Sequence, residues 1–166
     1  MSSPSRRLSL YRLRAQGELA CYKTKNIKVG DSSCHGKGSC ETVFDSTIDN
    51  DSCHVKKSCW FLENSTIHKG SCQGENTCSF VQNSIIGEGS CNGGSDKKDN
   101  GSSSCSYSKN VTIGNNSCNQ LDGSAKYVIC YKCHHNVPDN ACNQGSTDDL
   151  TEDGYCKFCG ENPTSG

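Results

Sequence analysis

Cys34, Cys53, Cys72 and Cys91 stand 19 residues apart, and Cys40, Cys59 and Cys78 follow the first three six residues later, at the same interval. A period near 20 is too short for helical repeats, whose units need about 33 residues or more, and points to a solenoid. The units align on their first Cys, with Cys118 as the fifth. The residue before it is Ser33, Ser52, Ser71, Ser90 or Ser117. Five before it stands Val29, Ile48, Ile67, Ile86 or Ile113, and eight before it Asn26, Asp45, Asn64, Asn83 or Asn110. The second Cys is preceded by Ser39, Ser58, Thr77 or Ser104, and two residues after it comes Thr42, Phe61, Phe80 or Tyr107. One unit slips: Cys91 to Cys105 spans 14 residues, with the extra residues in the polar run 93–104, and the spacing of 13 then returns between Cys105 and Cys118. An insertion that keeps the later register is a loop pushed out of one coil.

Each unit carries a turn, such as Val29-Gly30-Asp31 or Ile86-Gly87-Glu88, so short strands joined by tight turns fit and helices do not. Leucine-rich repeats share the period but need several Leu per unit, and here Leu62 and Leu121 are nearly alone in the repeat. The expected class is all-β: a short, disulfide-rich β-solenoid of about five 19-residue coils over residues 21–124. Coils spaced about 4.8 Å apart make it roughly 25 Å long. The Ile column and both Cys columns are expected to face inward, joined by Thr42, Phe61, Phe80 and Tyr107. The Asn/Asp column is expected at a corner, bonding turn backbone, and the Ser before each Cys is expected to face out. This register resembles the Cys-ladder β-solenoids among short-repeat proteins, over about 60% of the chain.

Cysteine carries much of the expected stability. The chain has 166 residues and 15 Cys, and the 31% hydrophobic fraction includes those Cys. The apolar residues left are too few for an ordinary core, so cross-links or metal must add to it. Within a coil, a six-residue separation across a turn suits the Cα spacing of a disulfide. The expected pairs are Cys34–Cys40, Cys53–Cys59, Cys72–Cys78 and Cys91–Cys105. Each small loop contributes about 2 kcal/mol in the chain-entropy model. The alternative is a reduced ladder of thiols packed as small hydrophobes.

Residues 1–20 hold Arg6, Arg7, Arg12 and Arg14 among serines and leucines, with no acid before Glu18. Such a segment is an exposed basic arm or resembles an organelle transit peptide, and a short helix over 8–14 would cap the first coil. Localisation is then an organelle with an oxidising compartment, or secretion. Residues 125–166 leave the repeat and contain Cys130-Tyr-Lys-Cys133 and Cys156-Lys-Phe-Cys159. This spacing resembles zinc ribbons and rubredoxin-like knuckles. The resemblance implies that Cys130, Cys133, Cys156 and Cys159 hold a structural Zn²⁺, with His134 and His135 as substitute ligands. Two disulfides in the same segment are the alternative. Among Cys21, Cys118 and Cys142, a Cys118–Cys142 bridge would fasten the tail to the last coil and leave Cys21 odd.

No Ser/His/Asp order, paired catalytic carboxylates, phosphate loop or HExxH occurs. His35 and His54 share a column, and the sequons at Asn50, Asn64, Asn100, Asn110 and Asn115 follow from a repeat rich in Asn, Ser and Thr. Net charge is −1, which makes general polyanion binding a poor expectation. No apolar run reaches the roughly 18 residues of a membrane span. The leading expectation is a non-catalytic structural or interaction protein, a rigid scaffold docking onto a protein partner or larger assembly. Its contact surfaces would be the 93–104 loop, the basic arm, or a stripe of Trp60, Val43, Leu62 and Val81 if these face out; the alternative places that stripe in the core. One alternative is nucleic-acid or regulatory binding through the zinc module. Another is an ice-binding or cell-surface protein presenting the column Lys28, Thr47, Thr66, Ile85 and Thr112.

Overall fold

A computed structural model describes residues 17–93, 104–119, 130–143 and 156–159. The basic arm up to residue 16, the helix expected over 8–14 and nearly all of the 93–104 loop lie outside them. Eight strands of two residues each are present, and no helix occurs among the described residues. One sheet stacks Lys28–Val29 (β1), Thr47–Ile48 (β3), Thr66–Ile67 (β5), Ile85–Ile86 (β7) and Thr112–Ile113 (β8), all parallel. A second parallel sheet stacks Val43–Phe44 (β2), Leu62–Glu63 (β4) and Val81–Gln82 (β6). The chain is therefore a β-solenoid. Three turns carry regular strands on both faces, fewer than the five full coils expected, while the first sheet does run through five levels.

The core follows the columns. Ile48, Ile67, Ile86 and Ile113 are 0–1% exposed, and Val29 closes the lower end. The expected inward aromatic column is corrected, and the open placement of Val43, Leu62 and Val81 resolves to core. Val43, Leu62 and Val81 are core at 0% exposure, whereas Phe61 and Phe80 are only partly buried and Tyr107 is 44% exposed. The outward stripe of Val43, Leu62 and Val81 is thus absent, and the aromatic column is on the surface instead.

The serines before the first cysteines are also corrected: Ser33, Ser52, Ser71, Ser90 and Ser117 are buried, all at 0% exposure. Strict in–out alternation fails because both cysteines of the first five rungs adopt left-handed backbone, φ 51–61°. A left-handed residue turns the chain, so consecutive Ser and Cys can both point inward. The buried hydroxyls then serve backbone groups that two-residue strands leave unpaired. Ser52 Oγ donates to His68 O at 3.0 Å, Ser71 Oγ to Gly87 O at 2.6 Å and Ser90 Oγ to Gly114 O at 2.6 Å. Each also accepts an amide from the next coil: Ser71 N on Ser52 Oγ, Ser90 N on Ser71 Oγ, Ser117 N on Ser90 Oγ.

The Asn/Asp column does form the corner. Asn26, Asp45, Asn64, Asn83 and Asn110 are exposed and left-handed, φ 48–56°, a conformation these short polar side chains tolerate. Asn26 Nδ2 donates to Asp45 Oδ1 at 2.9 Å, and Asn64 Nδ2 to Asn83 Oδ1 at 3.3 Å.

The described part of the expected C-terminal module, 130–143 and 156–159, continues the stack. Val137 bridges in parallel to Ile113, Gly114 N donates to Val137 O at 2.7 Å, and Cys118 N donates to Ala141 O at 3.0 Å. Gly114 is required by that seam: a Cβ there would sit 2.4 Å from Asp139 N. Among the described residues, no helix is long and apolar enough to cross a membrane.

Candidate functional site: a surface aromatic column and a terminal sulfur cluster

The disulfides form a ladder. Cys34–Cys40, Cys53–Cys59, Cys72–Cys78 and Cys91–Cys105 have Cα separations of 5.7–5.8 Å. The 14-residue span of Cys91–Cys105 leaves that separation at 5.8 Å, the same as its neighbours. Cys118 does not pair with Cys142. It pairs with Cys130 at the same Cα separation of 5.8 Å, as a fifth rung closed over 12 residues. Cys142 pairs with Cys156 over 14 residues. The insertions thus fall three times at one place, between the two cysteines of a rung.

Cys21 belongs to the same geometry. Its amide donates to Ser39 O, as that of Cys40 does to Ser58 O, so it starts the second Cys column one level below the first rung. Position 15, where a rung partner would stand, is Ala15. Cys21 is the free cysteine, and burial raises its pKa to about 11.

The four cysteines assigned to zinc therefore have a different origin from a zinc-ribbon knuckle. Cys130 and Cys156 are the second cysteines of rungs. Cys133 and Cys159 lie three residues further on, at the position held by Val43, Leu62 and Val81 lower down. In the structure Cys133 and Cys159 are bonded to each other across two adjacent coils. The Sγ atoms of Cys130, Cys133 and Cys159 lie within 4.8 Å of one another, as do those of Cys130, Cys142 and Cys156. Cys130 is common to both groups, and all five are buried. His134 and His135 are exposed.

The second feature is the aromatic column. Phe61 stacks on Phe80 with centroids 5.7 Å apart, and Phe80 on Tyr107 at 4.7 Å. Trp60 and Tyr131 meet the column edge-on, at 5.1 Å from Phe80 and 5.5 Å from Tyr107. Lys57 Nζ lies 5.1 Å from the Trp60 ring, and Lys132 Nζ 5.2 Å from the Tyr131 ring. The rings use their faces on each other, which leaves ring edges and the two flanking ammonium groups on the surface.

The remaining candidates have structural partners. His35 and His54 stack with centroids 5.3 Å apart, and His54 Nε2 is buried without a hydrogen bond. Asn50 Oδ1 accepts Asp31 N and Asn115 Oδ1 accepts Glu88 N, so these sequon side chains bond between coils. The column Lys28, Thr47, Thr66, Ile85 and Thr112 faces out, beside an Asp49–His68 pair at 3.0 Å.

A family model described as a domain of unknown function, DUF7640, matches residues 10–122. No curated protein and no solved structure matches the chain.

Proposed function

The chain belongs to the DUF7640 family, and from that footing we propose that it is a non-catalytic scaffold that docks onto a protein partner through its aromatic column. The observation that carries this reading is a stack of five aromatic rings, four partly exposed and Tyr107 exposed, along the side of a cystine-laddered coil. The large apolar side chains that line the coil interior, Ile48, Leu62, Ile67 and Ile86, are all at 0–1% exposure, and Leu19, Tyr22, Val55 and Ile85 are exposed outside the aromatic column. Tyr107 is 44% exposed in a ring stack with the partly buried Phe80, and surface aromatic side chains of this kind anchor protein interfaces. A frame cross-linked at nearly every level loses little conformational entropy on binding, which favours such use. The flanking Lys57 and Lys132 select a partner whose apolar ridge is bordered by acidic groups.

The test is affinity capture of cross-linked complexes from the native source with the intact chain and with Tyr107→Lys. Disulfide count and circular dichroism serve as the check on folding. The wild type is expected to retain a defined partner that the folded variant loses. A wild type that runs as a monomer in its own extract, or a variant that keeps the same partner, overturns the proposal.

A further inference from the structure

We propose that the distal end of the solenoid is a redox-gated metal site, in which Cys130, Cys133, Cys156 and Cys159 hold one zinc ion once the terminal disulfides are opened. The inference does not rest on the docking reading.

It starts from a surplus. The rungs Cys118–Cys130 and Cys142–Cys156 complete the ladder through the last two levels without Cys133 or Cys159. At the core position that Val43, Leu62 and Val81 fill below, the chain instead places cysteine on two successive levels. Stacking then sets one Cys-x2-Cys directly over another. The result is four sulfurs in two columns and two levels. Cys130 Sγ is within 4.8 Å of those of Cys133, Cys159 and Cys156. A tetrahedral four-thiolate zinc site, with Zn–S about 2.3 Å, needs sulfurs about 3.8 Å apart, so closing the shell brings Cys156 toward Cys133 and Cys159 once its bond to Cys142 is open. Four soft thiolates in a buried pocket select zinc over magnesium or calcium, which want oxygen.

Exposure sets the order of opening. Cys159 is 7% exposed and Cys156 2%, whereas both cysteines of each of the four lower rungs are at 0%. Thiol–disulfide exchange needs access of the attacking thiolate, so Cys133–Cys159 and Cys142–Cys156 react first, and Cys118–Cys130, at 0% and 1% exposure, follows. Opening Cys133–Cys159, Cys142–Cys156 and Cys118–Cys130 consumes three equivalents of a dithiol reductant, each leaving as its own disulfide. Six electrons and six protons pass to the six sulfurs. Zinc then displaces four protons from the ligand thiols, and Cys118 and Cys142 remain protonated.

The full chain is reduced anaerobically with a phosphine and titrated with Co²⁺, then with Zn²⁺. The expected result is one metal per chain by native mass spectrometry, with the thiolate charge-transfer and tetrahedral d–d bands of cobalt lost when zinc replaces it. Cys133→Ser with Cys159→Ser should abolish the bands, and Cys53→Ser with Cys59→Ser should keep them. Absent bands in a folded, reduced wild type overturn the proposal, as do bands that survive in the Cys133/Cys159 double variant. Should full reduction unfold the chain, Cys118→Ala with Cys142→Ala is refolded oxidatively with zinc present. One zinc per chain on four intact lower rungs supports the site. Recovery of Cys130, Cys133, Cys156 and Cys159 as metal-free disulfides overturns it.

Discussion

At the scale of single residues, two polar features report on the interior. Ser71 Oγ donates to Gly87 O and accepts Ser90 N. Ser71→Ala should therefore cost about 1–3 kcal/mol, because it leaves buried backbone groups unpaired; a lowered urea midpoint at unchanged slope would show it. Cys21 gives a pH signature. Its thiol ionises only near pH 11 when folded, raised by burial from its ordinary value near 9. The unfolded chain thus binds fewer protons than the folded chain between about pH 9 and 11. Stability falls through that window, and this contribution is intact below it. Comparing denaturation of the wild type and Cys21→Ala from pH 8 to 11 checks this: the extra loss above pH 9 should vanish in the variant. Both features were only half legible in the sequence. Cys21 could be seen as the odd thiol, but not as the bottom of a column, because its would-be partner is Ala15. Alternation, the rule for extended strands, puts the serines outward, and left-handed cysteines break that rule.

At the scale of elements, the solenoid class, the Ile and Cys columns and the Asn/Asp corner could be read from the 19-residue register. What register cannot state is which of two neighbouring apolar columns faces in. Leu62 and Phe61 are adjacent, and a two-residue strand has no alternation long enough to decide between them. The structure buries Leu62 at 0% and leaves Phe61 partly exposed. Leu62→Ala should accordingly cost about 2–5 kcal/mol. Phe61→Ala loses one ring stack, worth about 0.5–1.5 kcal/mol, beyond its partial burial. Chemical denaturation of the two variants measures the order; a larger loss for Phe61→Ala would return the aromatic column to the core. The site was harder to read. The Cys-x2-Cys pairs suggested a separate module because insertions of unequal length hide the register beyond Cys118. The usable signal was Val137, five residues before Cys142, which repeats the spacing of Ile113 to Cys118.

At the scale of the molecule, stability is distributed along the stack. Seven disulfides take 14 of the 15 cysteines. A rung closes each level from Cys34–Cys40 upward, and each level rests on its neighbours through backbone bonds, so nearest-neighbour terms govern the energetics. Cys53→Ser with Cys59→Ser removes one six-residue loop and should lower stability by about 2 kcal/mol while leaving the other rungs closed, as partial-reduction mapping would show. The most direct test is disulfide mapping of the unreduced, denatured protein after thiol blocking. The ladder predicts one blocked cysteine, Cys21, and linked peptides for Cys34–Cys40, Cys53–Cys59, Cys72–Cys78, Cys91–Cys105 and Cys118–Cys130. Blocked thiols at those ten positions, or links running from one repeat to the next such as Cys34–Cys53, would contradict it.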